Sequence, residues 1–284
     1  SYGATNSVGG GTMEQREVYF TVDGSFGQIL AGKALGLYGA KNILTDQTLF
    51  GVGYGTTGNL QTTLGGINLG YDYANWRSQI KWTSVDMNGF KVAVAVVDAN
   101  QGTSLGANSD QEGLRYEAEL SYAGAFDGGS YSAWLSGMHQ DNDDATNGTI
   151  DTHAEDNRAY SVGGTLAVGG FEAMAQYSDS EQGTYVAETV ATPDELEYSQ
   201  YIVQAGYRFA GTTLVSAQYS EREDENGQTD GSDLDHEKWT VGVYHDVNAN
   251  LKLVAEYTNT EVDNANGIGE TETDIFSLGG FVFF

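Results

Sequence analysis

The chain contains no cysteine and a single proline, Pro193. Without cysteine it can hold no disulfide framework, no thiolate metal site and no catalytic thiol. Its longest apolar run, Val92 to Val97, has the length of a strand. That is far short of the roughly 18–20 residues of a membrane-spanning helix. No helix-period pattern of useful length is present. Bases are scarce: 12 Lys and Arg face 40 Asp and Glu, a formal charge of −28. Such an excess repels polyanions, so no nucleic-acid partner is expected. The chain opens at Ser1 with no signal-peptide pattern, as expected of an exported mature protein or a trimmed chain.

Glycine (39), tyrosine (18) and phenylalanine (11) are plentiful, which suits twisted strands bearing aromatic belts. Alternation of apolar and polar residues predicts thirteen strands: 16–23, 28–34, 76–84, 90–97, 113–122, 130–139, 159–168, 171–178, 200–209, 212–220, 238–246, 251–259 and 273–284. Most are about ten residues long, the length a tilted strand needs to cross a bilayer; soluble strands average about five to six. The connectors alternate. Short turns such as Asp86-Met87-Asn88-Gly89, Asp127-Gly128-Gly129 and Gly169-Gly170 follow one strand of each pair. Long acidic segments near 98–112, 140–157, 179–198, 221–237 and 260–272 follow the other. Outer-membrane barrels have this asymmetry, with short periplasmic turns and long external loops.

Charges sit in mid-strand, on one face only. In 114–122, Leu114, Tyr116, Ala118, Leu120 and Tyr122 oppose Arg115, Glu117, Glu119 and Ser121. A lipid-facing exterior around a wet lumen accounts for that; a soluble sandwich with acidic loops is the alternative. Tyr122, Tyr177, Tyr207, Phe209, Tyr219 and Tyr257 stand where apolar faces end, as interfacial belts do. By parity Arg77, Lys81, Lys91, Arg115, Arg208 and Lys252 share the polar face and line the lumen. Pairing with Glu117, Glu119, Glu172 and Glu256 is the structural role open to them.

Other motifs carry little. Gly53-Tyr54-Gly55-Thr56-Thr57-Gly58 has dinucleotide-loop spacing but no helix pattern follows, so no cofactor is expected. His139, His153, His236 and His245 form no zinc-protease spacing, and no nucleophile elbow exists, so no catalytic residue is assigned. Asp141-Asn142-Asp143-Asp144 and the stretch from Glu221 to Glu237 are dense in oxygen ligands, and Ca²⁺ at these acidic loops is the one metal reading open; a solvated acidic loop is the other. Asn147-Gly148-Thr149 matches a glycosylation sequon, a weak three-residue signal.

The terminus Phe276-Ser277-Leu278-Gly279-Gly280-Phe281-Val282-Phe283-Phe284 resembles the last strand of an outer-membrane β-barrel. Arg16 to Lys33 resembles a strand–turn–strand of the Gram-negative general, trimeric porins, in which a Gly-Arg pair precedes a long third loop that narrows the pore. Gly32-Lys33 takes the place of that pair, and Gln79-Ile80-Lys81-Trp82-Thr83-Ser84 with Asn88-Gly89-Phe90 resembles the strand and turn after the loop. The resemblance implies an all-β transmembrane up-and-down barrel, a single domain over 1–284, with 35–75 as a constriction loop in the lumen. The loop lacks the Pro-Glu-Phe-Gly signature of some members and offers few acids, Asp46 and Asp72. An even strand count would require about three further strands before Arg16, sixteen in all.

The reading that follows is an outer-membrane porin of a Gram-negative bacterium, not an enzyme: a water-filled homotrimeric channel for ions and small hydrophilic solutes, set in lipid and lipopolysaccharide. Lys33, Arg77 and Lys81 form its expected basic wall, Asp46 the acidic counterpart, with Arg115 and Glu117 also lining the pore. The rival readings are a sugar or oligosaccharide channel, which needs an aromatic lumen track drawn from Trp76, Trp82, Trp134 or Trp239, and a soluble all-β binding protein.

Overall fold

The computed structural model describes residues 2–7, 10–54, 63–99, 114–141, 145–147, 150–153, 156–183, 186–187, 195–225, 234–264 and 271–284. Its strands are β1 (Tyr2–Ser7), β2 (Gly10–Gln15), β3 (Val18–Gly24), β4 (Gly27–Leu35), β5 (Trp76–Thr83), β6 (Phe90–Asp98), β7 (Leu114–Phe126), β8 (Gly129–Gln140), β9 (Ala145–Asn147), β10 (Ile150–His153), β11 (Asn157–Val168), β12 (Phe171–Gly183), β13 (Val186–Ala187), β14 (Glu195–Phe209), β15 (Thr213–Asp224), β16 (Leu234–Asn248), β17 (Leu251–Asn264) and β18 (Thr271–Val282). The single described helix, α1, is Ala40–Thr45.

Thirteen strands form one antiparallel sheet in chain order from β3 to β18, omitting β9, β10 and β13. They are the thirteen that alternation predicts. β1 and β2 make a separate hairpin, and β9, β10 and β13 a small sheet of their own. β3 and β18 are the two edges of the large sheet. Several strands run past their predicted ends. β12 continues to Gly183, β14 starts at Glu195, and β16 spans Leu234 to Asn248. The extra residues of β12 are polar on both faces, so no hydrophobic period marks them, whereas those of β14 turn Leu196 and Tyr198 to one buried face; both extensions stay paired. α1 has six residues, too few to show a helical period.

Register sorts the side chains, because directly opposed residues share a face. One row across β7, β8, β11, β12, β14, β15 and β16 reads Glu119, Ser136, Ser161, Ser178, Gln200, Arg222, His236. The next row, one residue along, reads Leu120, Leu135, Val162, Tyr177, Tyr201. The first face is the inner one, against which the described residues of the connection from β4 to β5, 36–54 and 63–75, lie. The second carries the exposed apolar side chains, including Leu135 at 52% and Val203 at 45% exposure.

Aromatic rings collect at both ends of the outer apolar face. Tyr160–Tyr177, Tyr201–Tyr219 and Trp239–Tyr257 pair at one end, with centroids 6.3, 6.0 and 5.1 Å apart. Phe90–Tyr122 and Phe171–Tyr207 pair at the other, 4.3 and 4.7 Å apart. On β14, Tyr201 and Phe209 stand about 27 Å apart along the strand at ~3.4 Å per residue. A tilt of ~40° reduces that to about 20 Å across, close to the apolar band of a membrane barrel. The turn joining β5 to β6 holds Asn88 at φ 58° and Gly89 at φ 93°. Two left-handed residues in succession make the mirror-image turn that suits twisted hairpins, which is why Asn-Gly occupies it.

Candidate functional site

The segment between β4 and β5 folds back over the inner face and is fastened there by carboxylates and amides. At its root, Glu117 Oε2 accepts hydrogen bonds from the backbone of Leu37 (2.7 Å) and Tyr38 (3.0 Å). Glu117 Oε1 accepts from Arg115 Nε at 2.6 Å, and Arg77 Nε lies 4.0 Å away. Gly39, at φ 81°, starts α1; a Cβ there would stand 2.8 Å from the Asp72 carbonyl. From α1, Asn42 accepts from Trp134 Nε1 (2.8 Å). At the far wall Glu256 accepts from the Val52 backbone (3.2 Å), Thr63 Oγ1 (2.9 Å) and the Tyr244 hydroxyl. Lys238, fully buried on β16, donates to the Gly65 carbonyl at 2.5 Å.

Two loop carboxylates act as internal hubs. Asp46 accepts from the backbones of Thr48 and Gly66 (both 2.8 Å), from Gln204 Nε2 and from the Tyr71 hydroxyl. Asp72 accepts from Tyr38, Ser180, Tyr198 and Gln200 at 2.7–2.8 Å. Burial, and then the adjacent carboxylate, raise the pKa of the Tyr38 and Tyr71 hydroxyls well above the usual tyrosine value. Both therefore stay protonated and keep donating. Ile43 and Tyr71 complete the attachment, packing with Ala74, Trp134, Met174 and Ile202. Buried groups partnered in this way hold the loop in one arrangement.

Of the residues predicted for the pore, Arg77, Arg115 and Glu117 come together, but beneath the loop root, at 8%, 6% and 2% exposure. Lys81 is on the same face, half-buried, opposite Leu30 and Ala95. Lys33 does not join them. It pairs with Ser78, one residue out of phase with the Ala34–Arg77 pair, so its side chain is on the outer face. Asp46 faces into hydrogen bonds with the loop and with Gln204 of β14. Lys238, Glu256 and the glutamines of β12, β14 and β15 were not singled out by the sequence as loop anchors. Their signal is polar residues at alternate inner positions, broken by apolar Met174, Ile202 and Leu214, and their loop partners lie as many as 204 residues away.

Most other inner-face cations meet a carboxylate. Arg208 binds Glu172 through two nitrogens (2.5 and 2.9 Å), Arg222 Nε donates to Asp224 (2.6 Å), and Lys252 Nζ is 2.7 Å from Asp246. Lys41 on α1 is 4.0 Å from Glu119. Trp134 is inside and buried, while Trp239 is outside, opposite Tyr219. Trp82 is also outside, and its Nε1 donates to the Phe26 carbonyl. Among the described residues, one trio of metal-ligand type gathers, His139, Asp141 and Asp156, all exposed. Residues 142–144 and 226–233 of the acidic segments, the sequon's Gly148-Thr149 and most of the Gly53–Gly58 motif lie outside the described residues.

The Gram-negative porin family model matches residues 3–265. The chain belongs to that family. It is thus an outer-membrane β-barrel channel, from a family of channels and not of enzymes. An anion-selective porin from Comamonas acidovorans shares the porin fold at TM-score 0.62 and 13% identity, over 93% of this chain and 77% of that one. The outer-membrane channel DcaP of Acinetobacter baumannii gives 0.63 and 14%, over 99% and 79%. The trimer form of OmpT, an outer membrane protein of Vibrio cholerae, gives 0.59 and 18%, over 97% and 82%. At such identities the likeness is one of fold. No curated protein matches the chain. In this porin the inner face is the lumen wall and the outer face meets lipid.

Proposed function

We propose that the protein is a general porin, a homotrimeric pore through which ions and small hydrophilic solutes diffuse passively, with its long acidic loops on the external, lipopolysaccharide side. The observation that carries this reading is the lumen itself. Its wall is lined with charged pairs, and the described residues of its loop are fastened to that wall by many hydrogen bonds. The tryptophan placement argues against a sugar channel, because two of the four rings face lipid and Trp134 is buried under the loop.

Selectivity in such a pore follows field and width. Nine of the twelve bases stand on the lumen wall or on the loop against it, all but Arg16, Lys33 and Arg158. Most of the 40 acids do not, so the negative excess belongs to the rims. In 0.01 M salt the screening length is about 30 Å, and the rims should attract cations; at 1 M it is about 3 Å, and only the lumen's own charges act. Reversal potentials across a planar bilayer should show cation preference in dilute salt that weakens or reverses in concentrated salt. A preference independent of salt, or no conductance, would contradict the reading.

The trimer has a natural seam. β3 to β6 span only 7–9 residues, at or below the roughly 9–11 that cross a bilayer, whereas most of the others span 12–15. A low wall with exposed Phe20, Ile29 and Ile80 is better covered by another subunit than by lipid. Ile80→Lys should convert trimer to folded monomer in native mass measurements; an unchanged trimer mass would place the seam elsewhere.

A further inference from the structure

We infer that Lys81 and Lys91 are the specificity-determining residues of the lumen on its short-turn side, forming a cationic lane down the β5–β6 wall that favours small anions. The inference rests on the porin reading and adds the residues that decide the sign of selection.

The argument starts from pairing. Arg208, Arg222 and Lys252 each hold a carboxylate at 2.5–2.7 Å. Such a pair presents a dipole to a passing ion, and its field fades faster with distance than that of a single charge. Lys238 is fully buried against a loop carbonyl, and Arg77 and Arg115 are covered by the loop root around Glu117. Among the described residues no carboxylate lies within 4 Å of Lys81 or Lys91. Glu119 and Glu117 both act on Lys81 from further off, but Glu119 is shared with Lys41 and Glu117 with Arg115 and Arg77, so neither is left to neutralise Lys81.

Register puts the two lysines on one track. Lys81 opposes Ala95, and Lys91 is four residues further along β6, opposite Ser121 on the same inner face. Four residues of strand cover about 13 Å. Lys81 therefore stands beside the loop and exposed Lys91 near the rim of short turns. At physiological salt the screening length is about 8 Å, so the two act independently and in series.

The control must respect superposition. Removing Arg208 alone would expose Glu172 and shift selectivity as much as removing a free lysine. The informative control removes the whole pair, Glu172→Gln with Arg208→Gln, which leaves the net charge unchanged. Anion-to-cation permeability ratios would be read from reversal potentials of wild type, Lys81→Gln, Lys91→Gln, the double lysine variant and the pair-neutralised variant, in 0.15 M salt. A unit charge some 6 Å from the ion path favours the anion and disfavours the cation by similar amounts, and so changes the ratio about threefold under that screening. Each lysine variant should lower it about threefold, the double about ninefold, and the pair-neutralised variant should match wild type. An unchanged ratio in Lys91→Gln, or an equal shift in the pair-neutralised variant, overturns the inference. Wild type that passes no current would instead overturn the porin reading, an outcome that cannot be confused with a shifted ratio.

Discussion

Replacing Glu117 with alanine should release the root of the lumen loop and lower stability by about 3–5 kcal/mol, the usual cost of stripping one partner from a buried ion pair. The side chain of Glu117 is fully buried. One of its oxygens serves two loop backbone N–H groups, and the other serves Arg115. Alanine leaves all three donors without that acceptor and strands two guanidinium groups side by side. Glutamine does not rescue the site, because its NH₂ must point either at the loop amides or at Arg115, and both are donors. Single-channel recordings should show larger, noisier conductance for both variants, and urea titration in detergent should show earlier unfolding, alanine more than glutamine. Glu119→Gln is the comparison, since its contact with Lys41 is only at 4.0 Å and should cost little. Quiet, wild-type conductance in Glu117→Ala would mean that the loop is held without its root.

Much of this arrangement can be read from the sequence, and the parts that cannot have a common cause. A period of two marks β7, β14 and β17, where one face meets lipid and the other meets water or polar loop atoms. The signal fades where the loop covers the wall. In β6, Val94 and Val96 face lipid, while Ala93, Ala95 and Val97 pack with Leu37 of the loop, so both faces are apolar. In β4, inner Leu30 and Ala34 are buried for the same reason. With no alternation to fix its phase, Lys33 is placed in the pore only by the likeness of Gly32-Lys33 to a family pair, and pairing with Ser78 puts it outside. Asp46 was legible as an acid on the loop, but its role depends on Gln204 and Tyr71. Such distant partners leave no local pattern. The loop's anchors are likewise ordinary glutamines and serines until register brings the loop to them.

The lipid-facing assignment makes the other large prediction, Leu135→Arg. Leu135 sits midway along β8 between Tyr131 and His139, on the outer face, 52% exposed. In water an exposed leucine changed to arginine costs almost nothing. At the middle of a bilayer the same change costs roughly 2–4 kcal/mol, because the guanidinium loses its hydration. Ser132, three residues back on the same strand, faces the lumen, half-buried, and shares a hydrogen bond with Thr165. Arginine there keeps contact with water and should disturb the current more than the fold. Folding titrations into lipid vesicles should therefore separate the two: a large loss for Leu135→Arg, and a small one with altered conductance for Ser132→Arg. Equal losses would mean that the two faces see the same medium, as they would in a soluble sandwich. The contrast discriminates because the substitution is identical and only the side of the strand differs.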